Sequence, residues 1–238
     1  MVYQPEPGKQ AMTTRPVPSK LHLIITCTRR KTVAAGSTVF PEERDAVIAY
    51  EAWLKILEQA LSKQPFMTAG DLYSGQHWQR AVTATESTGA EMWVLSAGLG
   101  LLHINDRVVP YEATFSSMRF CHRSMWSLLS SSSPMERRCT SLRELMHQCP
   151  HDRFIVAASP VYLKAVEEDL YAGSNGLASL EQLSIVTSKG YKGCLSNNVT
   201  LTSAAMMSEL NTNMTGLNIS HAVKILNRQH VRVTRNAA

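Results

Sequence analysis

The run LHLIITCTRRKT (residues 21–32) ends an apolar stretch on a thiol and follows it at once with Arg29, Arg30 and Lys31. Cations beside a cysteine favour the thiolate, which is the nucleophilic form, so Cys27 is a candidate nucleophile. Lys31 is a second candidate, as a clamp for an anion or, once desolvated, as an attacking amine. The plain alternative is a core cysteine followed by a solvated basic loop. A second candidate segment is LSAGLGLLHINDRVVPY (residues 95–111). Gly98 and Gly100 allow backbone N–H groups to approach a ligand closely after Ser96. Arg107 and Tyr111 follow, with Asp106 and Glu112 flanking them. Either acid can move protons if partly buried, and Tyr111 can stack on a nucleobase. A glycine-rich turn with a surface proline explains the same residues without chemistry. Tyr73 and Gly75, in Asp71-Leu-Tyr-Ser-Gly75, form a third cluster just before a helix; a capped helix start accounts for them equally.

These clusters are far apart in sequence, so the fold must gather them. Residues 21–27 read as a buried first strand. Pro41 and the acids after it open a helix running to about Ser62, with Val47, Trp53, Leu54 and Leu57 among its apolar positions. A helix is expected over Gln76–Glu86 and a strand over residues 91–97. Gly98-Leu-Gly100 reads as a loop with unusual backbone angles. Helices are expected over Met118–Leu129 and Met135–His147, with the serine run Ser130–Ser133 between them as a linker or mobile loop. A strand over residues 153–158 and a helix over Pro160–Tyr171 follow, the latter with Ser159 as N-cap and Tyr162, Leu163, Val166 and Leu170 as its stripe. A strand over Leu183–Thr187 and helices over Thr200–Leu210 and Asn218–Gln229 complete the chain. Alternating strands and helices predict an α/β fold: a mostly parallel sheet with helices on both faces, in a single domain over residues 21–238 behind a flexible arm, residues 1–20. Ligands of such sheets bind outside the carboxyl ends of the strands. There the ends carrying Cys27 to Lys31, Ser96 to Gly100 and Ser159 should meet.

Composition narrows the function. The chain has 238 residues, 44% hydrophobic and 18% charged, enough for a sizeable core. Its net charge of +5 leans toward a polyanionic partner. No apolar run is long enough to cross a membrane, and the first twenty residues hold no secretory apolar core, so a cytoplasmic location and no membrane partner are expected. Five cysteines, an odd number and none in a CxxC pair, argue against a disulfide framework or a zinc site. No histidine pair has metal-ligand spacing. No phosphate-binding glycine motif follows a strand, so no metal and no cofactor is expected.

The order strand-TCTRRK, then DLYSG before a tryptophan-containing helix, then LSAGLGLLHINDRVVPY resembles the YaaA-type superfamily, which is related to the catalytic domain of archaeosine synthase. The likeness covers about Leu21 to Thr114. The Cys27-to-Lys31 spacing matches the archaeosine synthase signature, but Thr26 replaces its proline, and Thr32-Val33 stand where that family continues differently. The resemblance implies an enzyme acting on a 7-deazaguanine base. The archaeosine branch attacks the nitrile of 7-cyano-7-deazaguanine in RNA through that lysine, and DNA-acting counterparts belong to bacterial 7-deazaguanine modification clusters. It therefore implies DNA as substrate, held by Arg29 and Arg30, with other DNA-modification proteins as partners. The nitrile would be hydrolysed to the amide by Cys27 or Lys31. Gly98 and Gly100 would stabilise the developing charge, Asp106 or Glu112 would move protons, and Tyr73, Gly75, Ser96, Arg107 and Tyr111 would line the base site. Two other readings stay open. One is a non-catalytic, YaaA-like DNA-binding stress protein. The other is a nucleobase glycosylase or transferase using Asp106 or Glu112.

Overall fold

In the computed structural model, which describes residues 19–63, 65–132 and 135–237, a six-stranded sheet forms the centre. The expected arm falls almost wholly outside the described residues. The chain runs β1 (Leu21–Thr26), α1 (Ala46–Lys63), β2 (Met67–Thr68), α2 (Ala69–Leu72), α3 (Gln76–Thr88), β3 (Glu91–Ser96), β4 (Gly100–His103) and β5 (Arg107–Val108). It continues through α4 (His122–Ser131), α5 (Leu142–Gln148), β6 (Arg153–Ala157), α6 (Pro160–Ser174), β7 (Leu183–Ser188), β8 (Val199–Thr202) and α7 (Leu217–Ala237). The sheet order is β4-β3-β1-β6-β7-β8, parallel throughout except for the antiparallel β3–β4 pair. The expected α/β architecture is therefore present.

Topology puts the site where it is. From β1 the chain crosses to β3 on one side; from β6, which pairs with β1 on its other side, it crosses to β7. Right-handed crossovers in opposite directions place α3 and α6 on opposite faces. α7 packs against α3, and α4 and α5 pack against α6. The strand order reverses between β1 and β6, and the crevice of such a sheet opens at that point, outside the carboxyl ends. β1, β3 and β6 are largely apolar inside, with Leu23, Ile24, Ile25, Val94, Leu95, Phe154, Ile155 and Val156 buried and His22 and Ser96 as buried polar exceptions. That is the near-continuous hydrophobic run expected of strands covered on both faces.

Several boundaries differ from the sequence expectation, each for a local reason. α1 begins at Ala46 rather than at Pro41 because the Asp45 carboxylate accepts from the N–H groups of Val47 (2.8 Å) and Ile48 (3.1 Å) and caps it there. The segment after β3 is a tight turn into an unforeseen antiparallel strand, β4. Only Gly100 there has a left-handed backbone, with φ +75°. Ser130 and Ser131 belong to α4 rather than to a linker, and the Ser131 hydroxyl bonds back to the Ser127 carbonyl at 2.9 Å. Ser133 lies outside the described residues. The helix expected from Met135 starts only at Leu142, where the Ser141 hydroxyl caps the Glu144 N–H at 3.0 Å. Thr200–Leu210 is not helical: Val199–Thr202 is an edge strand, extended by β-branched residues and the β7 ladder.

The outer edge of β4 is covered by Arg137. Its guanidinium donates to the carbonyls of Leu99 (3.0 Å), Leu101 (3.5 Å) and Leu129 (2.8 Å). No helix among the described residues is long and apolar enough to cross a membrane.

Candidate functional site

Two isolated β-bridges build the crevice wall. Lys31 pairs with Tyr73, and Val39 pairs with Glu112. Around the first, Thr32 N–H donates to Leu72 O (2.9 Å) and Ser74 N–H to Arg30 O (3.1 Å), while the Thr28 hydroxyl bonds Arg30 O at 2.7 Å. The basic loop after β1 is thus pinned to the DLYSG segment. Around the second, Glu112 N–H donates to Thr38 O and Phe40 N–H to Glu112 O, at 2.9 and 2.8 Å. These pairings carry Lys31 and Glu112 to the same place. Lys31 Nζ donates to Glu112 Oε2 at 3.3 Å and stands 5.0 Å from the centroid of the Tyr111 ring. Its side chain is 7% exposed and that of Glu112 42%, so the ammonium is sunk while its carboxylate partner reaches solvent.

Cys27 follows β1 directly, its N–H held by Leu95 O at 3.0 Å. Its Sγ lies 3.2 Å from the Tyr162 hydroxyl, which comes from the first turn of α6, after β6. This contact spans the point where the strand order reverses. Tyr162 is the residue that sequence reasoning missed: at position 162 it satisfies the apolar stripe of its helix, and helical periodicity cannot show that its hydroxyl meets a thiol 135 residues earlier.

Behind Cys27 runs a buried chain of hydroxyls. Ser96 Oγ and Tyr111 Oη are 2.6 Å apart, as are Tyr111 Oη and Tyr73 Oη. Ser96 Oγ also accepts from the N–H groups of Gly98 (3.2 Å) and Leu99 (2.9 Å). A serine oxygen has two acceptor sites and one hydrogen, so with both sites filled its hydrogen goes to Tyr111. Tyr111 accepts there and donates its own hydrogen to Tyr73. The order is Ser96 to Tyr111 to Tyr73, which leaves the Tyr73 hydrogen directed out of the chain, beside Cys27. Burial raises the pKa of all three tyrosines, Tyr73, Tyr111 and Tyr162, and the neighbouring Cys27 charge raises each further. They remain neutral hydrogen-bond donors around the sulfur.

The structure brings together Cys27, Lys31, Tyr73, Ser96, Tyr111 and Glu112, with Arg29 and Arg30 exposed in the same loop and Gly75 beside the Arg30 side chain. It corrects other expectations. Asp106 lies at the far end of the sheet, buried, its carboxylate accepting from His103 N–H at 2.7 Å. Arg107 is exposed in β5 and rests on the Phe66 ring at 4.4 Å. Gly100 turns toward Arg137 and Leu129, away from the crevice. Gly98 cannot serve as a charge-stabilising donor: its N–H is bound by Ser96, and its carbonyl accepts from the Trp53 indole at 2.7 Å. Gly98 is needed for closeness instead, since a Cβ there would stand 2.8 Å from Ala113 Cβ and 3.0 Å from the Tyr111 ring. Tyr111 is fully buried, so it does not stack on a base.

One group of possible metal ligands occurs among the described residues. His22, Cys149 and Asp152 hold ligand atoms within 4.8 Å of one another at the amino ends of β1 and β6. Trp93 Nε1 donates to His22 Nδ1 at 3.1 Å, which places the ring hydrogen on Nε2, donating to Asp152 Oδ2 at 3.0 Å. Neither ring nitrogen has a lone pair free for a metal, and the donor set does not fit one. Two surface clefts lie outside the crevice: one of about 350 Å³ among α4, α5 and α6, and one of about 540 Å³ between α3 and α7.

Residues 60–191, more than half of the chain, match the model of a family described as "Family of unknown function (DUF6884)". The matched region holds Tyr73, Ser96, Tyr111, Glu112 and Tyr162; Cys27 and Lys31 precede it. No curated protein and no solved structure matches the chain.

Proposed function

The chain belongs to the DUF6884 family, and we propose that it hydrates the nitrile of 7-cyano-7-deazaguanine in DNA to the amide, a reaction tied to one DNA-acting member, DpdC, of the YaaA-type superfamily that its first strand and loop resemble. The observation that carries this reading is the meeting of Cys27, Lys31 and Glu112 with the hydroxyls of Tyr73 and Tyr162 at one end of the sheet. A nucleophile, a proton donor, a proton acceptor and neutral donors are what nitrile hydration requires.

In this reading the base is turned out of the stack into the crevice. The Cys27 thiolate forms a C–S bond to the nitrile carbon, and the nitrogen takes a proton from the Lys31 ammonium, giving a thioimidate. Water then adds to that carbon while Glu112 accepts its proton. The C–S bond breaks, the electron pair returns to sulfur, the proton of the added hydroxyl moves to the nitrogen to complete the amide, and Glu112 passes the water proton it took to Lys31; one water has been added. Cys27 is favoured over Lys31 as the attacking group because Lys31 is held by Glu112 and the Tyr111 face, whereas the sulfur has only a hydroxyl partner. The Tyr73 and Tyr162 hydroxyls take the stabilising role that the glycine amides were expected to fill.

The test is product analysis. DNA carrying the cyano base is incubated with the full chain, digested to nucleosides and weighed. A gain of one water that Cys27→Ala and Lys31→Ala abolish supports the proposal. An unchanged mass refutes it, and release of free base assigns a glycosylase instead. DNA binding that persists in Cys27→Ala without any product assigns a non-catalytic DNA-binding protein.

A further inference from the structure

The cleft between α3 and α7 starts beside the crevice and has an unusual lining. Gln76, Gln79, Arg80, Thr83 and Ser87 from α3 line it together with Val223 and Asn227 from α7. No carboxylate lines it. Gln76 adjoins Gly75, whose Cα faces the Arg30 side chain at the crevice mouth. Amides and hydroxyls without a carboxylate are the groups that contact phosphates and sugars irrespective of sequence.

A row of cations on α7 starts beside the cleft. Lys224 and Arg228 each follow a cleft-lining residue of α7 by one position, and Arg232 and Arg235 continue the row along the same helix. Glu209 pairs with Lys224; among the described residues Arg228, Arg232 and Arg235 form no ion pair, and all three are exposed. At 1.5 Å per residue the row spans about 16 Å along α7; His77 and Arg80 of α3 meet Thr215 and Ser220, so Lys224 and Arg228 stand beside the cleft and Arg232 and Arg235 extend past it. Stacked nucleotides spaced about 3.4 Å apart put roughly five phosphates along that length.

We infer that this cleft and its cation row carry the backbone of single-stranded DNA leading into the crevice. The inference rests on the proposed DNA substrate but not on the chemistry at Cys27. A membrane surface fits the same charges less well. An interfacial helix needs a free apolar face, and here Leu217, Ile219, Ala222 and Leu226 are buried in the protein.

The experiment titrates the full chain into a fluorescein-labelled single-stranded oligonucleotide of ordinary bases, read by anisotropy at 50 and 200 mM salt. Each phosphate contact on a single strand contributes about 0.7 to the salt slope, so Arg228→Glu with Arg232→Glu should lower that slope by about 1.4. The wild type's loss of affinity between the two salt concentrations then shrinks about sevenfold. Gln79→Glu with Thr83→Glu, on the other helix, should weaken binding at least about tenfold through repulsion of the same backbone. Wild-type affinity and slope in both variants overturn the inference. So does tighter binding of a duplex of the same sequence, or capture of phosphatidylglycerol vesicles that the same variants abolish. Intact oligonucleotide binding in a chain that makes no amide would remove the hydration proposal alone. Amide formation with cleft variants that bind normally would remove the cleft assignment alone.

Discussion

Tyr111→Phe deletes one oxygen from a fully buried site and little else. The ring keeps its packing against Trp53, the Gly98 backbone and the Lys31 ammonium. The lost oxygen serves two hydrogen bonds of 2.6 Å, one to Ser96 and one to Tyr73. Each such bond contributes about 1 kcal/mol net. The Ser96 hydrogen is also stranded, because the other two sites on its oxygen are held by Gly98 and Leu99 N–H, and a buried unsatisfied donor costs about 1–3 kcal/mol. The sum, allowing for partial relaxation, is about 2–4 kcal/mol. For a chain of this length that lowers Tm by roughly 4–16 °C. Urea unfolding followed by circular dichroism measures it, with an unchanged m-value showing that the denatured state is the same. A loss below about 0.5 kcal/mol would mean that the hydroxyl is not bound on both sides, and the assigned proton order would fall with it.

Gly98→Ala drives a methyl into Ala113 and the Tyr111 ring and should cost about 1–3 kcal/mol, seen as a lower melting temperature; a neutral result would show that the turn can open. Asp169→Ala strands three donors at once, the Trp126 indole and the N–H groups of Leu142 and Arg143, at 2.9, 2.9 and 3.0 Å. It should lose about 2–4 kcal/mol in urea unfolding, and a change under about 1 kcal/mol would deny Asp169 that role. His22 and His103 have pKa values lowered below the ordinary 6.5, in each case first by burial. The unfolded chain therefore takes up protons that the folded chain refuses. Their contribution to stability is complete above about pH 6.5 and is lost as pH falls toward the lower folded values. A melting temperature flat from pH 7.5 to 5.5 would contradict this, and His22→Gln should weaken the dependence.

The sheet was legible because β1, β3, β6 and β7 are short apolar runs separated by helical stretches, and that pattern permits few topologies. Cys27 and Ser96 were legible as neighbours because the carboxyl ends of parallel strands must meet, whereas Lys31, Tyr73 and Tyr111 lie in loops and are brought in by an isolated bridge and by hydroxyl bonds. Asp106 was misplaced because β4 turns the chain back along β3, carrying the next residues to the opposite end of the sheet; glycine content announces such a turn but not its direction. Tyr111 was assigned to stacking because its sequence neighbourhood is polar, whereas its burial depends on Trp53 and Lys31 from elsewhere. Thr200–Leu210 failed as a helix because β8 is set by ladder pairing with β7, a long-range term that local propensity does not contain. Tyr162 was hidden because one side chain can satisfy both an apolar stripe and a polar contact.

Arg137 bears on how the molecule behaves at high concentration. An edge strand with open carbonyls is a template on which another chain can add a strand. Two carbonyls beside that edge, those of Leu99 and Leu101, are already taken by one guanidinium, which a second chain would have to displace before it could pair. The arginine thus stands as a steric and electrostatic obstacle to strand addition at this edge, and its removal would open the edge while also stranding the three carbonyls it serves.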